Sequence, residues 1–265
     1  MQNNKKVIYK SREEEIIINE LSLSSFINKE QLLDIKKYYN EEVPYHNFLH
    51  VLLVASNTLE LLSSKDFDII EIKSLFIAAL FHDAWHTWMA EDLDEFRSLD
   101  IALEAIENFE KKYQYDWINH SIIRKAIIWT VFKNRWKNTN KYAIIMADLD
   151  ISTLWLNFLE FIYYSDFGMA LEIGNTLNWK IDINWWFKNI WYFKFLMWVN
   201  KNIYINKNIR EKLLQKSLEN ITKYIDISKN WFKLENWKNI EKLFNYWKNN
   251  NITYKEFKIE YDKIK

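Results

Sequence analysis

Apolar side chains recur three or four residues apart along most of the chain, and polar side chains fill the positions between them. This spacing is typical of amphipathic helices. Alternating runs rich in Val and Thr between Gly-Asn turns, the usual sign of hairpins, are absent from the sequence. The sequence therefore predicts an all-α fold. The predicted helices lie near residues 12–22, 29–39, 45–63, 68–83, 95–113, 119–132, 140–165, 183–200, 208–225, 235–249 and 253–263.

The chain divides by composition into two parts. Residues 1–205 hold all five histidines, whereas residues 206–265 are rich in Asn, Lys and Ile and contain none. We predict a helical domain that carries the chemistry over 1–205, and a C-terminal helical extension without chemistry over 206–265. The single proline, Pro44, predicts a helix start at Tyr45, because proline is tolerated in the first turn of a helix.

Charge and composition exclude several classes of protein. The 36 basic residues equal the 36 acidic ones, and a protein that binds nucleic acid usually has a basic excess. With no cysteine, the chain has no disulfide, thiolate zinc site or cysteine nucleophile. The first 15 residues lack the apolar core of a secretory signal, and charges interrupt the Trp-rich stretch 181–205 before it reaches the roughly 20 apolar residues of a membrane span. We expect a cytoplasmic protein with neither a nucleic-acid partner nor membrane contact.

Four histidines form two pairs, His46 with His50 and His82 with His86. Each pair is spaced by four residues, which on a helix places both imidazoles on one face. One pair alone is explained as simply by two histidines packed in a core. Two pairs, the second joined by Asp83, favour a divalent metal ion, because imidazole and carboxylate are common ligands of such ions.

His82 and Asp83 follow the apolar run LFIAALF, which is expected to be a buried helix. Adjacent residues point about 100° apart around a helix, so these two can meet one ion only where the helix ends. A further ligand is expected from the segment MADLDIST, where Asp148 and Asp150 lie mostly on different faces because they are two residues apart. Only one of these two carboxylates needs to reach the ion, and the residues alone leave the choice open.

These residues carry a resemblance to a known family. His50, the His82-Asp83 doublet and a distant Asp resemble the H…HD…D signature of the HD-domain metal-dependent phosphohydrolase superfamily. Within it, YHNFLH and HDAWHTW are similar to the HNxxH and HDxxHxG motifs of class I cyclic nucleotide phosphodiesterases and of smaller bacterial HD proteins. The resemblance spans about residues 45–154. It implies an HD-domain helical bundle with a C-terminal helical extension.

The resemblance also implies a ligand set. Asp150-Ile151-Ser152 matches the DLS-like motif of the family better than the segment that begins at Asp148. The implied cofactor is one or two divalent ions, of Mn, Mg, Fe, Zn or Ni. The implied metal ligands are His50, His82, Asp83 and Asp150.

By the same resemblance, the catalytic residues are His46, Asp83 and His86. His46 would donate a proton to the leaving oxygen, Asp83 would bridge metals, and His86 would lie beside the bridging hydroxide or a second metal. Independent chemistry supports such roles, because a divalent ion can generate hydroxide near neutral pH and an imidazole can protonate an alkoxide.

The implied reaction is hydrolysis of a phosphate ester by a metal-activated hydroxide, and the implied partner is a small phosphate ester, a nucleotide or a cyclic nucleotide. Two other functions stay open. One is a non-catalytic module that holds a metal or a nucleotide, and the other is a di-iron oxygenase, since some HD folds contain two irons. The sequence sets no limit on the oligomeric state.

Tryptophan stands where the relatives have glycine or another small residue, at Trp85, Trp88 and Trp155. The chain has 2 Gly and 14 Trp, whereas about 19 Gly are expected at the usual share of ~7%. An indole ring is a poor replacement where the backbone must turn tightly. One hypothesis is that tryptophan is written here for a codon that the source organism reads as glycine. The other is that Trp85 and Trp88 form the walls of a narrow site.

Overall fold

A computed structural model describes residues 14–40, 43–62, 66–85, 93–114, 117–128, 130, 137, 139–176, 193–198, 203–231, 234–250, 252 and 254–263. Every regular element in these ranges is a helix, which confirms the all-α prediction. Within the same ranges, no single helix has both the length and the apolar composition needed to cross a membrane.

The described helices occur along the chain in the following order. The first seven helices are α1 (14–22), α2 (Lys29–Lys36), α3 (Phe48–Leu61), α4 (Ile69–Phe81), α5 (Leu93–Tyr113), α6 (His120–Ile127) and α7 (Lys141–Asp150). The later elements are a 3-10 helix (Ile151–Trp155), α8 (Phe158–Phe161), a π-helix (Ile162–Asp166), α9 (Phe167–Thr176), α10 (193–198), α11 (Lys207–Trp231), α12 (Leu234–Asn250) and α13 (Tyr254–Lys263).

Two helix boundaries differ from the prediction in ways that bear on the site. α3 begins at Phe48 rather than at Tyr45, because the side chain of Asn47 caps it and accepts a hydrogen bond from the N–H of His50. The single helix predicted over 140–165 is interrupted, since α7 ends at Asp150 and the chain continues as a 3-10 helix. Of the helix predicted over 183–200, only residues 193–198 lie within the described residues.

The chain forms two compact units. One contains Glu14–Ser152 together with Tyr204–Lys212, and the described remainder of the other lies within Thr153–Ile203 and Leu213–Lys265. This division differs from the boundary that the sequence predicts near residue 205. The segment around the start of α11 belongs to the first unit because the carboxylate of Asp148 accepts hydrogen bonds from the N–H groups of Ile205 and Asn206, at 3.1 and 2.7 Å.

The core of the first unit is built around α4, which packs against α3, α5, α6 and α7. The side chains from Leu75 to Phe81 are almost completely buried on all sides of this helix, as expected for a helix with no polar face. A capping box formed by Asp68 and Glu71 begins α4. His82 and Asp83 follow the opposite end of α4, after Phe81, and lie inside the unit.

The second unit is held by aromatic packing. The ring centroid of Phe167 lies 5.2 Å from that of Phe244 and 5.7 Å from that of Phe257. Tyr163 and Trp247 join the same group, with their ring centroids 6.5 Å apart. Edge-to-face contacts of this kind add to the free energy gained by burying the rings.

Candidate metal centre

His82 and Asp83 leave the C-terminal end of α4. His82 is the C-cap residue of the helix, with φ −60° and ψ −28°. Its Nδ1 atom lies 2.9 Å from the carbonyl oxygen of Ala79. Because a carbonyl only accepts, Nδ1 carries the proton of this hydrogen bond, and Nε2 is the ring nitrogen that faces the neighbouring carboxylates. A helix end at which both residues can meet one ion is the arrangement that their sequence predicts.

His50 enters the same place from the first turn of α3. Its Nε2 atom lies 3.2 Å from Oδ1 of Asp150 and 3.4 Å from Oδ2 of Asp83. The Nε2 atom of His82 lies 3.4 Å from Oδ1 of Asp150 and 3.2 Å from Oδ2 of Asp83. Each imidazole nitrogen therefore faces both carboxylates.

The two aspartates of α7 have different surroundings. Asp150, the last residue of the helix, turns its carboxylate to the two histidines. Asp148 is fully buried, and its carboxylate binds the backbone ahead of α11. Side chains two residues apart point about 200° away from each other around a helix. α7 can therefore offer Asp150 to the candidate metal site on one side and bind the backbone ahead of α11 through Asp148 on the other.

Together, His50, His82, Asp83 and Asp150 offer one ligand atom each, all within 4.8 Å of one another. Two imidazole nitrogens and two carboxylate oxygens suit borderline and hard divalent ions such as Zn, Fe, Ni and Mn. The cluster can hold a metal ion. Both histidine side chains are almost completely buried, whereas the side chain of Asp150 is 28% exposed.

The two carboxylates and the two imidazoles of the cluster shift one another's pKa. Burial by itself lowers the pKa of the His82 imidazole, but the neighbouring Asp83 and Asp150 carboxylates raise it well above its usual range. The pKa of His50 is raised by the same two carboxylates against the same effect of burial. Burial alone would raise the pKa of Asp83, and the facing histidines lower it well below its usual range. Two negative carboxylates thus require positive charge between them, which protons or a divalent ion can supply.

His46 lies beside this group of four ligands. It is half-buried and precedes α3, so it does not share a helix with His50 as the four-residue spacing predicts. The two rings are nevertheless close, with centroids 5.8 Å apart. The buried ring of Tyr45 contacts both, at 4.6 Å from His46 and 4.7 Å from His50. The predicted proton donor thus lies next to a candidate metal ligand, and the ring of Tyr45 contacts both.

His86 and Trp88 lie outside the described residues. α4 ends at Phe81, and residues 82–85 form a turn, close to the helix end that the sequence predicts at residue 83. The place of His86 relative to the cluster therefore stays a prediction.

Sequence reasoning missed Asn47, which sits inside the YHNFLH motif. Its side-chain amide donates to the carbonyl oxygens of Val43 and Pro44, at 3.1 and 2.9 Å, while its oxygen caps α3. Asn47 thereby fixes the segment that carries His46 to the helix that carries His50. An asparagine immediately before an apolar periodic run is the standard N-cap signal, and it was available in the sequence.

At Trp85 and Trp155, the two motif tryptophans that the structure describes, the backbone has no conformation that demands glycine. Among described residues other than glycine, only Gln114 has a positive φ. The side chain of Trp85 is 45% exposed, with the guanidinium carbon of Arg97 5.6 Å from its ring centroid. The hydroxyl of Ser98 accepts from the N–H of Trp85 and donates to its carbonyl oxygen. The glycine hypothesis stays a hypothesis at these positions.

Comparison with known proteins adds no relative. The chain matches none of the protein-family models compared with it, and no curated protein shows significant similarity to its sequence. The resemblance to HD-domain proteins therefore depends on the sequence motifs alone.

Proposed function

We propose that this protein is a metal-dependent phosphohydrolase that hydrolyses a phosphate ester of a nucleotide or cyclic nucleotide. The observation that carries the proposal is the convergence of His50, His82, Asp83 and Asp150 within 4.8 Å, with the imidazole of His46 beside them. A site that only held a metal for structure would need no additional imidazole next to the ligands.

The ligand set supports a divalent ion as cofactor. Two nitrogens and two carboxylate oxygens can hold one ion, and a carboxylate such as that of Asp83 can also bridge two. When bound, such an ion lowers the pKa of a water molecule and offsets the negative charge of a phosphate group. The partial exposure of Asp150 supports access to the centre from solvent.

The chain's own residues then have separate tasks. The Nδ1–H of His82, held by the carbonyl of Ala79, keeps the imidazole oriented with Nε2 toward the centre. Asp83 and Asp150 set the charge of the centre. His46 would donate the proton of its ring nitrogen to the oxygen of the leaving group, as a general acid.

Hydrolysis of defined phosphate esters by the metal-loaded protein tests the proposal. The protein would be stripped with a chelator, reloaded with Mn²⁺, and assayed on a generic phosphodiester, a phosphomonoester and a panel of cyclic and linear nucleotides. Asp83→Ala is expected to lose both metal and turnover, whereas His46→Ala is expected to keep the metal and lose turnover. Turnover by the chelated protein, or full turnover by either variant, would contradict the proposal.

His120→Ala is the matched control for His46→Ala. His120 pairs with Glu110, at 2.8 Å between Nε2 and Oε1, and belongs to no metal cluster among the described residues. It should therefore leave metal binding and turnover unchanged. Metal binding without hydrolysis of any compound in the panel would favour a non-catalytic module. Oxygen-dependent turnover with iron, absent under anaerobic conditions, would favour an oxygenase.

A further inference from the structure

A buried polar contact joins α3 to the turn that follows Asp150. The side-chain amide of Asn57 donates to the hydroxyl oxygen of Ser152 at 2.7 Å, and that hydroxyl donates to the carbonyl oxygen of Leu149. Asn57 is 7% exposed and Ser152 is completely buried. Leu149 and Ser152 lie on either side of Asp150, so this contact holds the backbone on both sides of a metal ligand.

The same helix reaches Asp150 directly. His50 and Asn57 are seven residues apart on α3, which is nearly two full turns, so both side chains lie on one face about 10.5 Å apart. His50 contacts the carboxylate of Asp150, and Asn57 contacts the turn just beyond it. α3 therefore contacts the end of α7 at two points. Together they limit the distance of the Asp150 backbone from α3 and its rotation relative to α3.

The attachment falls where the backbone changes its helical type. α7 ends at Asp150, and the chain turns into a 3-10 helix at Ile151, whose φ and ψ are −86° and 6°. A 3-10 helix is wound more tightly than an α-helix, so the position of the change decides where the preceding side chain points. The Ser152 hydroxyl donates to the Leu149 carbonyl oxygen at this change of helical type and holds the change at Asp150.

The energetics of the contact indicate a role in geometry rather than in stability. A buried polar pair contributes little more to folding than an apolar pair of the same shape, because both partners lose their hydration. Its directional hydrogen bonds nevertheless restrict the side chains and the backbone more narrowly than apolar packing does.

We propose that Asn57 and Ser152 are positioning residues of the metal centre: they fix the direction of the Asp150 carboxylate through the backbone and so raise the affinity for a divalent ion. The inference depends on the metal centre of the proposed function, and it does not depend on the reaction. Contacts that orient a ligand typically change metal affinity about 10- to 100-fold, so we expect a loss of about tenfold when this one is removed.

The test compares Ser152→Ala with Ser74→Ala. Ser74, on α4, is equally buried, and its hydroxyl accepts from the N–H of Asn119 at 3.0 Å. It lies eight residues before His82, or about 12 Å along the helix. Ser74→Ala thus also removes a buried serine hydroxyl in the same compact unit, but at a place away from the metal centre.

Two measurements separate positioning from stability. The first is the rise in Tm that saturating Co²⁺ produces over the chelated protein, and the second is a Co²⁺ titration followed by its visible absorption band. Both variants are expected to lower the Tm of the chelated protein. Only Ser152→Ala should shrink the Co²⁺-induced rise, weaken Co²⁺ binding about tenfold and change the band. Ser152→Thr keeps the hydroxyl and should restore the affinity.

The outcomes distinguish this inference from the metal centre itself. If the wild-type protein shows no Co²⁺-dependent rise in Tm, the centre is wrong and the inference falls with it. If the wild type binds Co²⁺ and Ser152→Ala binds it as tightly as Ser74→Ala does, the centre stands and the inference alone is overturned. Should Ser152→Ala fail to fold, Asn57→Ser removes the amide while leaving the Ser152 hydroxyl on Leu149, and the same weakening is expected.

Discussion

Asp148 and Asp150 lie two residues apart on one helix, yet their carboxylates have different partners: the backbone N–H of Asn206 at 2.7 Å for Asp148, and Nε2 of His50 at 3.2 Å for Asp150. We expect Asp150→Asn to abolish the metal-induced rise in Tm, because it removes a ligand and a negative charge from the centre. Asp148→Asn should keep that rise and lower the unfolding free energy of the chelated protein by roughly 1–3 kcal/mol, since it disturbs buried hydrogen bonds.

Thermal unfolding of both variants with chelator and with Co²⁺ checks this pair of expectations. The two substitutions are chemically identical and lie on the same helix, so each is the control for the other. The reverse pattern, with metal binding lost in Asp148→Asn and kept in Asp150→Asn, would show that Asp148, and not Asp150, is the fourth ligand.

Asn47 allows a test of how the start of α3 supports the centre. Asn47→Ala removes the helix cap and the two hydrogen bonds to Val43 and Pro44, and a lost cap costs about 0.5–2 kcal/mol. Because His50 lies in the first turn and His46 in the clamped segment, we expect weaker Co²⁺ binding and lower turnover as well. Urea unfolding and a Co²⁺ titration measure these effects.

Asn119→Ala is the matched control for this cap. Asn119 caps α6 by accepting from the N–H groups of Ser121 and Ile122, and its removal should cost a similar stability within the same unit. Metal affinity should stay unchanged, because α6 contributes no ligand to the cluster. Equal losses of metal affinity in the two variants would show that loss of stability alone explains the effect at Asn47.

The residues of the site also show which structural features the sequence patterns could predict. Helical periodicity depends on neighbours three and four residues apart, so it identified the all-α class correctly. Of the motif residues, the fold places His50, His82, Asp83 and Asp150 together. The patterns did not place the ends of α3 and α7, because the cap at Asn47 and the change to 3-10 geometry after Asp150 depend on individual side-chain hydrogen bonds.

The contact between Asn57 and Ser152 could not be predicted from the sequence at all. It joins residues 95 positions apart, and no periodic pattern marks two buried polar side chains as partners. Asp148 illustrates the same point, because its burial against the chain before α11 follows from packing between distant segments. Such contacts become visible only once the helices are arranged in space.

Glu71 carries a pH-dependent part of the stability of the first unit. Its carboxylate accepts from the hydroxyl of Tyr142 at 2.6 Å and from the Lys141 ammonium, and its side chain is 13% exposed. Partial burial raises the pKa of Glu71, but these two partners outweigh it and lower the pKa below its ordinary value of 4.5. A lowered pKa in the folded state stabilises the protein above pH 4.5, and this stabilisation is lost as the pH falls through the folded-state value.

Glu71→Gln tests this dependence while keeping the capping box, since glutamine can also bond the N–H of Asp68. We expect the variant to be about 1.5–3 kcal/mol less stable than wild type at pH 7, and the difference should shrink below pH 4.5. Urea unfolding from pH 7 to pH 3 measures it. A difference that stays constant over this range, or grows on acidification, would contradict the assigned pairing.

Trp85 and Trp247 provide the last test, because their surroundings predict opposite responses to glycine. The side chain of Trp85 is 45% exposed, so Trp85→Gly should cost only about 1 kcal/mol, mainly through backbone entropy. Trp247 packs within the aromatic group of the second unit, 5.6 Å from Phe167 and 5.9 Å from Phe244 between ring centroids. Trp247 is half-buried within α12, so its replacement by glycine should cost about 2–4 kcal/mol, because part of the aromatic packing is lost and glycine weakens the helix. Urea unfolding of both variants, together with peptide masses of the protein from its natural source, checks these expectations. A Trp247→Gly variant as stable as the protein with Trp247, together with a peptide mass that shows glycine at position 85, would establish the recoding hypothesis. Peptide masses that show tryptophan at both positions would refute it.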